Sequence, residues 1–257
     1  MNEVLQDDPH RRVERVGDTV RRPLHAWSSS VHALLRHLAD IGFPYSPRVL
    51  GIDEHGREIL TYLEGDSGPE GWSSVVPAAG LVAMARLLRD YHEAIATYRP
   101  ATDWAGASGA PAEGELICHG DFGPWNLVWR GTTPVGILDW DYAWPKPPLH
   151  DVAYALEYVA PFRSDAESLR WLRYPEPPDR RERVETFATA YGLTSTEGLY
   201  DAVRTQQREV IARSTLLGKQ GYQPQASYGP EVHTEWAARI KWTDTHRALF
   251  EGELQSE

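Results

Sequence analysis

The stretch of the chain that decides the fold reads ICHGDFGPWNLV from residue 117 to residue 128 and GILDWD from residue 136 to residue 141. Short apolar runs of the kind found in buried strands adjoin its polar residues. Asp121, Asn126 and Asp139 therefore stand at strand ends. The glycine and proline between the first two predict an irregular loop, so these three side chains are candidates for one polar site.

Residues 127–130 and 135–138 predict a hairpin around a four-residue turn, which places Asn126 opposite Asp139. Directly opposed residues in an antiparallel pair have Cβ atoms about 4.5 to 5.5 Å apart. A carboxylate and an amide oxygen at that spacing suit Mg²⁺, which binds few protein oxygens together with waters and substrate phosphates. Asn126 and Asp139 are therefore predicted metal ligands, and Asp121 is the predicted base of a phosphoryl transfer.

The first quarter of the chain has the pattern of a small antiparallel sheet with one helix. Gly17 and Asp18 are turn formers between two β-type runs, which is typical of a tight hairpin. The predicted elements are strands 13–16 and 19–22, a helix over residues 31–41 with serines before it, and strands 48–52 and 58–63. A Gly-, Ser- and Pro-rich stretch over residues 66–72 follows, which predicts two lobes, 1–64 and 65–257.

The second lobe is predicted to be mainly helical, so the fold class is α+β. Its predicted strands are 116–118, 127–129 and 135–138, and its predicted helices are 81–95, 151–159, 180–191, 196–217 and 232–250.

Composition narrows the class of partner. The chain has 257 residues, and 26 Lys and Arg against 37 Asp and Glu give a formal net charge of −11, so no nucleic-acid partner is expected. One cysteine, Cys118, excludes an intrachain disulfide, and no apolar run is long enough to cross a membrane. With a polar N-terminus, the chain is expected to be cytoplasmic, and its oligomeric state stays open.

The order H-G-D-x-x-x-x-N at residues 119–126, followed by I-L-D-W-D at 137–141, resembles the aminoglycoside phosphotransferase and choline kinase family. The resemblance extends from the small lobe through His150-Asp151-Val152-Ala153 and weakens after about Pro161. It implies a two-lobed, protein-kinase-like fold and a Mg²⁺-dependent kinase that phosphorylates a hydroxyl of a small molecule with ATP or GTP. The residues that it assigns are Asp121 as catalytic base, Asn126 and Asp139 as metal ligands, His119 as a loop-positioning residue and Asp151 as a buried support.

The resemblance also assigns a nucleotide side to the small lobe. Residues 3–5 align with the first strand, and residues 6–11 align with the loop that covers phosphates, although they contain no glycine and include Asp7 and Asp8. Arg21 takes the position of the phosphate-binding lysine, and Val31 replaces the glutamate that would orient it. Adenine is expected to bind backbone groups of the segment Thr61, Tyr62 and Leu63, where the lobes join.

Several alternatives remain open from the sequence. A cationic acceptor is expected to meet carboxylates and aromatic faces in the C-terminal region, with Glu157, Glu235, Trp236 and Trp242 as candidates. Asp141 is interpreted mainly as a structural residue that accepts local backbone hydrogen bonds, and binding of a second cation or of the substrate is the alternative. A binding module with little or no nucleotide affinity is the second hypothesis, motivated by the glycine-free loop. A metal phosphohydrolase that uses His119, His150 and Asp151 is the third.

Overall fold

The computed structural model describes residues 2–8 and 11–251, arranged as a small β-rich N-lobe and a larger, mainly helical C-lobe. The α+β, protein-kinase-like fold predicted from the sequence is confirmed. Within the described part of the chain, no single helix is both long and apolar enough to cross a membrane. The helical residues 68–75 and 78–94, bent by 112°, meet that length and composition criterion only as a pair.

The N-lobe contains a five-stranded antiparallel sheet in the order β1-β2-β3-β5-β4. Its strands are β1 (Asn2–Gln6), β2 (Val13–Val16), β3 (Thr19–Arg22), β4 (Val49–Ile52) and β5 (Glu58–Thr61). Gly17, with φ of 62°, supplies the left-handed conformation that the β2–β3 turn requires. The two predicted hairpins are therefore present, and β1 adds the strand that the family resemblance implied.

The N-lobe helix, α1 (Ser28–Asp40), begins at the predicted serines rather than after them. Its apolar residues recur every three or four positions, so one face is buried, with Val31, Leu34, Leu35 and Leu38 at 1% exposure or less. This helix contacts β4 and also the turn formed by residues 140–142 of the C-lobe. It therefore packs against both lobes.

The C-lobe surrounds the motif with helices. They are α2 (Gly71–Val75), α3 (Ala78–Ala94), α4 (Leu149–Val159), α5 (Asp165–Trp171), α6 (Arg180–Tyr191), α7 (Leu199–Lys219), α8 (Pro230–Thr245) and α9 (Ala248–Glu251). Three short two-stranded pairs complete the lobe: β6 (Thr102–Trp104) with β7 (Ala107–Gly109), β8 (Leu116–Cys118) with β11 (Trp144–Lys146), and β9 (Leu127–Arg130) with β10 (Thr133–Ile137).

The β9–β10 hairpin corrects the predicted register by one residue. The turn contains two residues rather than four, because Thr133 already pairs with Arg130, and a bulge then shifts the register so that Ile137 pairs with Leu127. The Leu138 amide donates to the Asn126 carbonyl over 2.7 Å. Asn126 therefore stands opposite Leu138, one residue before Asp139.

The segment that joins the lobes is attached to the C-lobe. Asp66 and Trp129 exchange two backbone hydrogen bonds of 2.8 and 2.9 Å. Gly65 has φ of 151°, and a Cβ at this position would collide with the Trp129 carbonyl. Only glycine allows the chain to pass so close to β9 here.

Candidate active site

The three predicted polar residues line one cleft between the lobes. This cavity measures about 440 Å³, and its wall includes Asp121, Asn126 and Asp139 together with residues of β3, α1 and β5 from the N-lobe. The structure therefore brings together the side chains that the sequence placed at the ends of separate strands.

Asn126 joins the predicted base to the predicted metal ligand. Its Nδ2 donates to both the backbone carbonyl and Oδ2 of Asp121 over 2.9 Å. Its backbone oxygen accepts from Leu138, the neighbour of Asp139. Because its amide nitrogen is committed to Asp121, Oδ1 is the Asn126 atom suited to a hard cation. Together with the Asp139 carboxylate, this donor set fits Mg²⁺.

Asp121 has an environment that changes the pKa of its carboxyl group. Burial, followed by the nearby charge of Asp139, raises the pKa of Asp121 to about 7. Hydrogen bonds from the Tyr154 hydroxyl and from Asn126 act in the opposite direction. A base with a pKa near neutral pH accepts a proton effectively without being held permanently protonated.

Asp139 adopts a left-handed backbone conformation, with φ of 54°. Its Oδ2 accepts from Arg11 over 2.7 Å, and its Oδ1 accepts from Arg22 over 3.3 Å. The carboxylate thus pairs with two guanidinium groups from the N-lobe.

Asp151 supports the loop that carries Asp121. Its two carboxylate oxygens accept from the backbone amides of His119 and Gly120 over 2.6 and 2.8 Å. Burial alone would raise the pKa of Asp151, but the hydrogen bond from His92 and the nearby histidines hold it below its ordinary value. A Cβ on Gly120, whose φ is 77°, would collide with the Tyr142 carbonyl, so this loop needs glycine there.

His119 is fully buried and connects the two halves of the motif. Its Nε2 bonds to the Leu138 carbonyl over 2.8 Å, and its Nδ1 accepts from the Asp121 amide over 3.3 Å. His150 instead pairs with Glu209 over 3.2 Å. These two histidines therefore do not converge as the phosphohydrolase hypothesis requires.

Arg21 does not lie where the predicted phosphate-binding role needs it. Its Nη1 donates to Thr19 over 2.6 Å and its Nε lies 3.9 Å from Asp53, on the face of β3 opposite the cleft. Because side chains alternate along a strand, Arg22 lines the cleft instead. The alignment was one residue out of phase.

Arg22 is anchored by buried carboxylates. It pairs with Glu58 on β5 and with Asp141, which is 4% exposed. Glu58 also bonds to His32 on α1 over 2.6 Å. Val31 stands on α1 where the family resemblance implied a glutamate. Glu58 on β5, which is held by His32 on α1, orients Arg22 instead.

The predicted adenine wall, Thr61, Tyr62 and Leu63, lines the cleft as expected. The amides of Thr61 and Tyr62 already donate to Arg48 and Asp18 over 3.0 and 2.9 Å. Backbone recognition of a base by this wall would therefore use its carbonyl oxygens and the amide of Leu63. Of the predicted phosphate loop, Gln6 and Arg11 line the cleft, while residues 9 and 10 lie outside the described residues.

A group of aromatic rings lies in the C-lobe next to Asp121. Trp125 packs against Tyr158 and Trp72 with ring centroids 4.6 and 5.1 Å apart, next to Tyr154, whose hydroxyl bonds to Asp121. We call Trp72, Trp125, Tyr154 and Tyr158 the aromatic cluster.

The candidate acceptor residues named from the sequence have other contacts. Glu157 is 3% exposed and pairs with Arg239 over 3.3 Å. Trp242 stacks on His246, and Trp236 packs against His233 and Tyr228. The structure does not bring these residues together with Asp121.

The site residues that sequence reasoning missed are Arg11, Arg22, Glu58, His32 and Tyr154. Tyr154 alone had a local signal, because it lies three residues after Asp151 on α4 and so shares its helix face. The others act across the fold: Arg11 and Asp139 are 128 residues apart. His92, Cys118 and Asp151 also meet in the core, where Asp151 is occupied by backbone donors and burial keeps the Cys118 pKa well above its ordinary value.

Comparison with known proteins finds a family match for the central part of the chain. Residues 101–187 match the family model described as "Phosphotransferase enzyme family". The trifolitoxin immunity protein of Rhizobium leguminosarum bv. trifolii is 41% identical over 143 residues, which are 52% of this chain and 52% of that protein. The chain therefore aligns with about half the length of that relative.

Solved structures match over nearly the whole chain. The GDP complex of aminoglycoside 2'-phosphotransferase-IIIa has a TM-score of 0.59 at 13% identity, covering 96% of this chain and 93% of that one. A choline/ethanolamine kinase family protein from Mesorhizobium loti has a TM-score of 0.52 at 19% identity, covering 97% and 91%. The resemblance indicated by residues 119–126 and 137–141 is thus confirmed: the chain has the fold of the aminoglycoside phosphotransferases and choline/ethanolamine kinases, and its central third matches the phosphotransferase enzyme family.

Proposed function

We propose that this protein transfers the terminal phosphoryl group of ATP or GTP to a hydroxyl of a small molecule. The observation that carries the proposal is the position of Asn126, which bonds to Asp121 through its amide and to the residue before Asp139 through its backbone. One residue thereby fixes the position of Asp121, the proposed base, relative to Asp139 and its own amide oxygen, the proposed metal ligands. Positioning and charge neutralisation are most of what a protein contributes to phosphoryl transfer.

Each residue then has one role. Asp121 accepts the proton of the acceptor hydroxyl. The hydroxyl oxygen bonds to the terminal phosphorus, and the bond between that phosphorus and the nucleoside diphosphate breaks. Asn126 and Asp139 would hold Mg²⁺, which neutralises charge on the phosphates when bound. Arg22, held by Glu58 and Asp141, faces the same cleft with a guanidinium suited to phosphate oxygens.

For the acceptor, we propose a hydroxyl-bearing toxin or antibiotic with a flat or apolar part that packs on the aromatic cluster. The immunity protein that shares 41% identity with part of this chain supports a protective role. The half-buried ring of Trp125, which lines the cleft together with Asp121, and the neighbouring rings of Trp72 and Tyr158 support an acceptor with an apolar face.

The direct test follows phosphate from γ-labelled ATP and GTP into trifolitoxin, aminoglycosides and amino alcohols. Asp121→Asn should lower kcat by about 10² to 10⁴, because general-base catalysis contributes that much. Asp139→Ala should also remove transfer, whereas Asp103→Asn, at an exposed position on β6, should leave it unchanged. Transfer that survives both cleft substitutions would contradict the proposed site.

A binding module that uses the cleft without catalysis is the second candidate. The observation that favours it is that both oxygens of Asp139 already accept from arginine side chains, beneath a loop without glycine. The affinity of the wild-type protein for a Mg²⁺-nucleotide separates the two functions, because a module of this kind binds it weakly or not at all.

A further inference from the structure

The loop between β1 and β2 extends one side chain over the proposed metal ligand. Arg11 Nη2 bonds to Asp139 Oδ2 over 2.7 Å, and the two side chains are 26% and 20% exposed. Arg11 lines the same cavity as Asp121 and Asn126. The ion pair therefore lies at the mouth of the cleft, where incoming ions can reach it.

Of the two acidic residues that the sequence placed over the phosphates, Asp7 faces another way. Asp7 is 77% exposed and pairs with Arg12 over 3.1 Å, outside the cleft. Arg11 faces the cleft and Asp7 faces solvent, so the charge of Asp7 is directed away from a nucleotide in the cleft.

The two arginines on Asp139 are held to different degrees. Arg22 pairs with Glu58 and Asp141 as well as with Asp139, and its side chain is 14% exposed. Among the described residues, the only ion-pair partner of the Arg11 side chain is Asp139. A divalent cation that binds the Asp139 carboxylate competes with Arg11 for the same oxygens and repels it. Arg11 is therefore the cleft cation that is free to change partner.

We propose that Arg11 is a phosphate-binding residue. Its guanidinium pairs with Asp139 while no divalent cation is bound. When a cation binds Asp139, the guanidinium leaves Asp139 and pairs with the terminal phosphate of a nucleoside triphosphate. This inference rests on the proposed function. Guanidinium offers five donors that match phosphate oxygens, so one arginine performs here what backbone amides perform in a glycine-rich loop. The absence of glycine from residues 6–11 is then compatible with nucleotide binding.

The test measures binding rather than turnover, on the full chain. Mn²⁺ alone is titrated by the electron paramagnetic resonance signal of the free ion, and Mg²⁺-AMP-PNP and Mg²⁺-ADP are titrated by calorimetry. Arg11→Gln should bind Mn²⁺ alone about twofold to fivefold more tightly, because the competing ion pair is lost. It should bind Mg²⁺-AMP-PNP about tenfold to a hundredfold more weakly, with a smaller loss for Mg²⁺-ADP.

Two further variants make the result specific. Arg12→Gln removes the same charge from the next residue, whose side chain pairs with Asp7 and Glu14 outside the cleft, and all three affinities should stay within about twofold of wild type. Arg11→Lys keeps the positive charge but lacks the paired N–H donors of the guanidinium group, so it should recover part of the affinity for Mg²⁺-AMP-PNP. It also serves as the test variant if Arg11→Gln does not fold.

The outcomes separate the inference from the function beneath it. If Arg11→Gln raises the affinity for both Mn²⁺ and Mg²⁺-AMP-PNP, Arg11 only competes with the cation for Asp139 and the inference is wrong. If wild type binds Mg²⁺-AMP-PNP but Arg11→Gln behaves like Arg12→Gln, the inference alone is wrong. If wild type binds no nucleotide at several millimolar, both the inference and the proposed transfer are overturned.

Discussion

Glu58 is a fully buried carboxylate between two basic side chains from different elements. Arg22 on β3 and His32 on α1 each bond to one of its oxygens. A charge so far from water is tolerated only when its partners are in place. Glu58 thus connects Arg22 in the cleft to α1 of the N-lobe.

Replacing Glu58 with Gln should lower the free energy of unfolding by about 3 kcal/mol, because Arg22 then loses a buried counter-ion. Urea unfolding followed by circular dichroism measures this change. Glu54→Gln, at an exposed position beside His55, is the control and should change stability by less than about 0.5 kcal/mol. A Glu58→Gln protein as stable as the control would show that the buried pair contributes nothing.

The loop of residues 119–126 depends on the first turn of α4. Asp151 uses both carboxylate oxygens on backbone amides of that loop, so the helix holds the position of Asp121 through its backbone. The helix begins at Leu149, two residues earlier than predicted, which puts Asp151 inside the first turn.

Asp151→Asn should lower the free energy of unfolding at pH 7 by about 1 to 3 kcal/mol, because an amide offers one oxygen where two acceptors are needed. The pKa of Asp151 lies below its ordinary value in the folded protein. Its charge therefore stabilises the fold above about pH 4, and this contribution is lost as the pH falls through the folded-state pKa. Unfolding measured from pH 7 to pH 3 should show the wild type and variant converging below about pH 4.

Asp179→Asn is the matched control, because Asp179 caps α6 through one oxygen and Asn caps helices equally well. Its stability should remain within about 0.5 kcal/mol of wild type at neutral pH. A difference between Asp151→Asn and wild type that does not shrink in acid would assign the effect to packing instead of charge.

Local signals predicted the two N-lobe hairpins, α1 and the long C-lobe helices. They missed the short elements α2, α5, β6, β7 and β11, and the helix predicted over residues 232–250 is divided into α8 and α9. Long-range pairing was also beyond sequence reasoning. The turn at Gly17 and Asp18 was correct because turn chemistry is encoded in the turn itself. The β9–β10 register was wrong by one because the bulge that shifts it leaves no signature in the spacing. Arg21 matches the lysine position in the sequence while Arg22 lines the cleft for a similar reason, since alternation identifies two faces of a strand without saying which face meets the cleft.

Asp141 is a C-lobe residue that makes several of the polar contacts joining the two lobes across the cleft. Asp141 pairs with Arg22 and, over 3.3 Å, with His25, and its carbonyl accepts from Trp27 over 2.7 Å. The sequence predicted Asp141 as mainly structural, and these contacts fit that interpretation. Its partners were not predictable, because all three come from the other lobe.

Asp141→Asn should loosen the junction of the lobes, because it removes the carboxylate that Arg22 and His25 share. Hydrogen–deuterium exchange should become faster in residues 23–27 and 140–144 by about tenfold or more, while α6 keeps its protection. Glu14→Gln, whose partners Arg12 and Arg57 both belong to the N-lobe, should leave that junction unchanged. Equal exchange in the two variants would place the connection between lobes elsewhere.

The attachment of Asp66 to β9 sets the point at which the chain crosses between the lobes. Two backbone hydrogen bonds hold residue 66 to Trp129, so the crossing takes place before Gly65, next to the wall of residues 61–63. A rotation of one lobe against the other would therefore change the backbone of that short segment. Arg11 and Arg22 would move with the N-lobe, while Asp121, Asn126 and Asp139 would stay together on the C-lobe.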